Sequence, residues 1–138
     1  MIHSLPSSEP LTAQKLFSKL YVSYYARLVR FASLYVGAMG DAENIVQDFF
    51  LYLWERKEIL PELQQPDAYL FSAVKHRCLN FLRSQIFVMS KLKGMKYREI
   101  AESLGISQNT VEGQMAIALK KLREELRHCM PLLLLFGI

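Results

Sequence analysis

Residues 95–123 read MKYREIAESLGISQNTVEGQMAIALKKLR, and this stretch decides the fold. Ala101 is followed four residues later by Gly105 and ten residues later by Val111. A small residue in one helix lets a second helix approach closely. A glycine opens the turn with positive φ, and a β-branched residue in the second helix locks the pair at a steep angle. Ile100, Leu104, Ile106, Met115, Ala118 and Leu122 complete a shared apolar set. The spacing predicts a helix-turn-helix over residues 97–122 in preference to a plain helical hairpin.

Ser107 stands where a side-chain oxygen N-caps the second helix. Gln108, Asn109, Thr110, Glu112 and Gln114 then lie near that helix's N-terminus, the end that enters a major groove. Their chemistry suits base edges: the amides of Asn109 and Gln114 can pair bidentately with adenine, and Glu112 can accept from cytosine. Gly113 lets the backbone come close to DNA. Lys120, Lys121 and Arg123 follow as phosphate contacts that carry little sequence preference.

The charge distribution points the same way. Residues 1–74 hold 6 Lys/Arg and 8 Asp/Glu, whereas residues 75–138 hold 11 Lys/Arg and 5 Asp/Glu. A basic half suits a phosphate backbone or another acidic surface; the plainer reading is a solvated helical face.

N-terminal to this stretch the chain also reads as helix. Residues 1–12 are polar and are expected to form a loose arm. Phe17, Leu20, Tyr21, Tyr24, Leu28, Phe31, Ala32 and Tyr35 recur at three- and four-residue steps, and Gly37 and Gly40 are expected to end that helix. Asp41 reads as the N-cap of a second helix with Glu43 in its first turn. Its apolar face carries Ile45, Val46, Phe49, Phe50, Leu53 and Trp54, the last four read as core, with Arg56 and Lys57 in its last turns. A third helix starts near Asp67 and carries His76, Asn80 and Arg83 in one stripe, flanked by Lys75 and Arg77. Residues 86–96 give a further short helical pattern stopped by Gly94.

The fold class is therefore all-α, in two small helical domains over residues 1–85 and 86–130, the second a helix-turn-helix, with an apolar tail at 131–138. Several function classes lose support. His3, His76 and His128 have no neighbours that form a ligand set or a nucleophile–base pair, and there is no Gly-rich phosphate loop and no zinc spacing. The chain is expected to be no enzyme and to need neither metal nor cofactor. Cys78 and Cys129 are far apart and follow no secretory signal, which fits a reduced, cytoplasmic protein. The apolar run at 129–138 is far short of the ~20 residues that span a bilayer, so direct membrane insertion is not expected and the tail is read as a docking or packing segment.

Residues 95–112 together with 118–123 closely resemble the DNA-reading fourth region of bacterial RNA polymerase sigma factors, above all those of the extracytoplasmic-function class. Residues 41–54, DAENIVQDFFLYLW, resemble the second-region helix that grips the polymerase clamp. Residues 68–82, AYLFSAVKHRCLNFL, resemble the helix that melts and reads the −10 element.

The resemblance implies a promoter-specificity subunit with core RNA polymerase and double-stranded promoter DNA as partners, and an anti-sigma protein, membrane-bound in this class, as a further one. It assigns polymerase binding to Asp41, Glu43, Asn44, Gln47 and Asp48. The −10 element falls to Lys75, His76, Arg77, Asn80 and Arg83. The −35 element falls to Ser107, Gln108, Asn109, Thr110, Glu112, Gln114, Lys120, Lys121 and Arg123.

One departure stands out. Such factors carry a flexible linker and the first helix of the fourth region between the positions of Arg83 and Ile86, where only Ser84 and Gln85 lie here. Either the chain is interrupted between residues 83 and 88, or linker and helix are absent and residues 67–92 form one helix. Two other readings stay open: a helix-turn-helix regulator that is not a polymerase subunit, and a shortened protein that docks on polymerase or an inhibitor without reading promoters.

Overall fold

The computed structural model describes residues 8–128, with side chains over residues 12–127, and contains helices and no strand among them. The helices are α1 (Ser8–Val36), α2 (Met39–Glu55), α3 (Pro66–Phe87), α4 (Tyr97–Leu104) and α5 (Gln108–His128). A 3-10 turn (Lys57–Glu62) joins α2 to α3, and a π turn (Val88–Leu92) follows α3. The chain divides into two compact units, Met1–Asn80 and Phe81–Ile138, with the boundary inside α3.

In the first unit, the long aromatic-rich α1 packs against α2 and α3. Leu28 and Ala32 of α1, Ala42, Val46, Phe49 and Leu53 of α2, and Leu70, Val74 and Cys78 of α3 are all at most 1% exposed. The rings interlock edge to face: Phe17 meets Phe50 at 5.9 Å, Tyr21 meets Phe50 at 4.9 Å, and Phe31 meets Phe71 at 5.0 Å. This is the arrangement that the ring quadrupole favours.

Several boundaries differ from the sequence expectation. The expected loose arm is helical from Ser8 onward, and its first seven residues lie outside the described residues. Gly37, at φ +82°, stops α1, but Gly40 lies inside α2. Asp41 is not the N-cap. Ala38, in an extended conformation, holds that position without a side-chain cap, because Gly37 reverses the chain and α2 restarts at Met39. Asp41 keeps its place in the first turn, where the helix dipole favours a carboxylate.

α2 ends at Glu55, before Arg56 and Lys57. Those cations lie instead over rings, Arg56 4.0 Å from the centre of Tyr52 and Lys57 4.1 Å from that of Trp54. Trp54, expected in the core, is 40% exposed. α3 opens with Pro66 at its first position, where the missing N–H has no helical partner to lose.

In the second unit, the last turns of α3 pack with α4 and α5. Leu82, Ile86, Ile100, Ala101, Val111 and Met115 form the buried core, with Phe87, Met89, Leu104, Ile106 and Leu119 packed against it. Leu122, expected in this core, is 40% exposed: α5 runs on past the end of α4, and its later turns have no apolar cover from that helix. The short helical pattern expected at 86–96 is divided between the end of α3 and the π turn at Val88–Leu92. The chain runs unbroken from α3 into the π turn, where Lys93 N–H donates to the Val88 carbonyl at 3.1 Å. Gly94 at φ +67° then turns it toward α4.

Candidate polymerase and DNA interfaces

On α2, the residues opposite the core form a polar row. Glu43, Asn44, Gln47 and Asp48 are exposed and Asp41 is half-buried. The row results from helical periodicity: Ala42, Ile45, Val46, Phe49, Phe50 and Leu53 are drawn into the core, which leaves the alternate positions outward. Gln47 Nε2 donates to the Tyr25 hydroxyl of α1 at 3.0 Å. Beside it, Phe17, Tyr21, Gln47, Phe50, Leu51 and Trp54 line an open groove of about 390 Å³.

On α3, Lys75, His76 and Asn80 are exposed. Arg77 is half-buried, its guanidinium 5.1 Å from the centre of Tyr52 and 5.8 Å from that of Phe49. The planar cation is thus laid along an aromatic wall. Arg83, the last member of the stripe, falls in the second unit and is half-buried.

The turn between α4 and α5 has the geometry its sequence calls for. Gly105 adopts φ +68°, its N–H reaches the Glu102 carbonyl at 3.4 Å, and Ile106 N–H reaches the Ala101 carbonyl at 3.0 Å. This pair of bonds satisfies carbonyls that the ended helix would otherwise leave open. At the other end of α4, Glu99 Oε1 accepts from the Lys96 N–H at 2.8 Å. Ser107 caps α5: its Oγ accepts from Thr110 N–H at 3.0 Å and also bonds the Thr110 hydroxyl at 2.8 Å.

Beyond the cap, Val111 and Met115 point into the core. Gln108, Asn109, Thr110, Glu112, Gly113, Lys120, Lys121 and Arg123 are exposed. Gln108 Nε2 donates to Glu112 Oε2 at 3.3 Å. Gln114 differs from the others: it is half-buried, and its Oε1 accepts from Arg83 Nε at 2.9 Å.

The structure thus brings together the α2 row, keeps Lys75, His76 and Asn80 exposed on α3, and exposes the first turns of α5. It also joins Arg83 and Gln114, residues that the sequence assigned to different promoter elements. A signal for the partial burial of Gln114 was present, though not for its partner: it directly precedes Met115 and lies three residues after Val111, on the flank of the packed face. The aromatic groove beside α2 was not foreseen, because Trp54 was counted as core.

Residues 20–86 match the family model for sigma-70 region 2, and residues 76–122 match that for sigma-70, region 4. Residues 76–86 fall within both matches. No individual curated protein matches the chain. The two regions, in order and covering most of the sequence, show that the chain belongs to the sigma-70 family and has the two-region make-up of its extracytoplasmic-function class. It is a sigma subunit, with core RNA polymerase and promoter DNA as its partners. That family is not one of enzymes. Among the described residues, no helix is long and apolar enough to cross a membrane; the apolar tail lies outside them.

Proposed function

We propose that the subunit engages polymerase through the exposed row of α2, with Glu43, Asn44, Gln47 and Asp48 at its centre and Asp41 at its edge. Lys75, His76 and Asn80 of α3 meet the −10 element, with Arg77 held beside them. α5 reads the −35 element through Gln108, Asn109 and Glu112, its capped N-terminus is placed by Ser107 and Thr110, and Lys120, Lys121 and Arg123 grip the backbone. The observation that carries this reading is the exposed polar start of α5 on a helix-turn-helix that follows a region 2 domain. A regulator that used the helix-turn-helix alone would leave the region 2 match without a role.

The domain division follows. The part up to Asn80 serves the polymerase and the −10 element, and the part from Phe81 through α5, in place of the 86–130 read from the sequence, serves the −35 element. The last turns of α3 stand in for the first helix of region 4: Leu82 and Ile86 fill the place in the helix-turn-helix core that a separate helix otherwise takes. The subunit acts in the cytoplasm, where chromosome and polymerase are. By its class it is held in check by an anti-sigma protein.

The test is assembly. Purified protein mixed with core polymerase should comigrate with it, and the complex should retain duplexes that carry both promoter elements at salt where core polymerase alone releases them. Binding to DNA without comigration with core polymerase would favour the regulator reading.

A further inference from the structure

α5 carries an apolar stripe along most of its length. At about 100° per residue, Val111, Met115, Leu119, Leu122 and Leu126 fall within one sector of about 80°. Val111 and Met115 are buried in the core of the second unit, and Leu119 packs at its margin. Leu122 and Leu126 are 40% and 42% exposed. The stripe thus continues for about two turns beyond the side chains that cover it.

Residues 129–138, CMPLLLLFGI, follow the last turn of α5 directly and carry no charged side chain. Pro131 cannot extend α5, because it has no N–H and its ring clashes with the preceding turn. Residues 132–136 span about 17 Å when extended, and residues 119–126 of the stripe cover about 10 Å of helix axis. The tail therefore has the reach and the chemistry to cover the stripe. Its tether also gives it an effective concentration on the order of millimolar, an advantage that no free partner has.

We infer that residues 132–136 fold back over Leu122 and Leu126 and complete the apolar cover of α5. Stripe and tail belong to the same unit. Lys120, Lys121 and Arg123 lie off the centre of the stripe by about 80–140°, so the clasp leaves these cations open and braces the turns that carry them. That bracing of a phosphate grip rests on the reading of α5 as the −35 helix; the cover itself does not.

The test is thiol reactivity in the full chain carrying Cys129→Ser, with buried Cys78 as the internal reference that must stay unreactive. Leu122→Cys places a thiol on the stripe, and Glu124→Cys places one on the opposite face. When residues 132–136 are all replaced by serine, alkylation of Leu122→Cys by a maleimide should speed up by about tenfold, as for a covered state that opens about 10% of the time. Glu124→Cys should not change, and helicity by circular dichroism should show both tails on a folded protein. Oxidation gives a second measurement that keeps the tail apolar. Leu122→Cys, paired in turn with Leu132→Cys, Leu133→Cys, Leu134→Cys and Leu135→Cys, should form a disulfide within one chain in at least one pair, faster than Glu124→Cys paired the same way.

An unchanged Leu122→Cys rate with the serine tail, or equal disulfide rates from the two faces, would overturn the inference. Protection lost on dilution would overturn it in favour of a second copy of the chain. Protection that arises only when core polymerase is added would overturn it in favour of that partner.

Discussion

Gly105 and Gly113 lie 8 residues apart in the reading unit and do different work. Gly105 sits at φ +68°, a region that costs an L-residue about 1–2 kcal/mol, and a Cβ there would meet nothing within 4 Å. Gly105→Ala should therefore destabilise the protein by about that backbone cost and no more, as read by urea denaturation. A Cβ at Gly113 also meets nothing within 4 Å, but the backbone there is helical. Gly113→Ala should add about 1 kcal/mol of helix stability. If α5 lies in the groove, the same change should weaken −35 binding, since the only atoms a methyl can meet are those of DNA; unchanged or tighter binding would place Gly113 away from the groove. Cys78 is wholly buried, and burial pushes its thiol from about 9 up to about 11. Its neutral form is favoured by folding, so the contribution is complete below pH 9 and is lost as pH rises through 11. Wild-type stability should fall more steeply between pH 9 and 11 than that of Cys78→Ala, and parallel denaturation midpoints across that range would contradict the assignment.

Among the elements, α2 and the end of α3 are the ones whose proposed roles can be tested separately. Replacing Asn44, Gln47 and Asp48 of α2 together with alanine removes only exposed polar groups, one of them bonded to the Tyr25 hydroxyl. Helicity should stay as in the wild type, while the amount recovered with core polymerase falls; full recovery would show that the clamp meets another face. Ile86 tests the end of α3, since it is fully buried among Ile100, Val111 and Met115 of the second unit. Ile86→Ala should cost about 2–5 kcal/mol, followed by the helical signal during denaturation. A loss below 1 kcal/mol would mean that the helix-turn-helix packs without it. The helices themselves were legible because periodicity is set by burial: the apolar positions of α1, α2, α4 and α5 recur at helical steps and fill the two cores. Their ends were less legible. The start of α2 was misread because Asp41 is a good cap by chemistry, yet the chain is already reversed by Gly37 and Ala38, a tertiary choice that no local preference encodes. Trp54 and Leu122 were misread for a similar reason, as helical period says which face is apolar but not how far along that face its cover extends.

For the molecule as a whole, the order of two regions was visible in the sequence, and their junction was narrowed to two readings, of which the continuous helix is the one found. Patterns at 41–54, 68–82 and 95–123 sit in the order that a sigma subunit requires, and both family matches agree with it. The linker expected between them has no counterpart: α3 passes through Arg83, Ser84 and Gln85 without interruption, and residues 76–86 belong to both matches. Exposure was legible from the helical period, as at Asn109, Glu112, Lys75 and His76. Where a side chain bonds within the protein, as at Gln114 with Arg83 and Gln47 with Tyr25, residue type could not reveal the partner. The basic second half adds a prediction at this scale. With Lys120, Lys121 and Arg123 exposed on α5, promoter affinity should fall with salt, each phosphate contact contributing about 0.9 to the log–log slope. Lys120→Ala should reduce that slope by about one contact while leaving base preference intact, and a changed base preference would make Lys120 a reader rather than a grip. The central claim, that this chain confers promoter specificity on polymerase, is tested most directly by reconstituted transcription with core polymerase over a library of randomised promoters. The account predicts initiation from fixed positions on templates enriched for one −10 and one −35 element, with the −35 enrichment lost when Asn109 and Glu112 are both alanine. Initiation no more frequent or more selective than with core polymerase alone would contradict it.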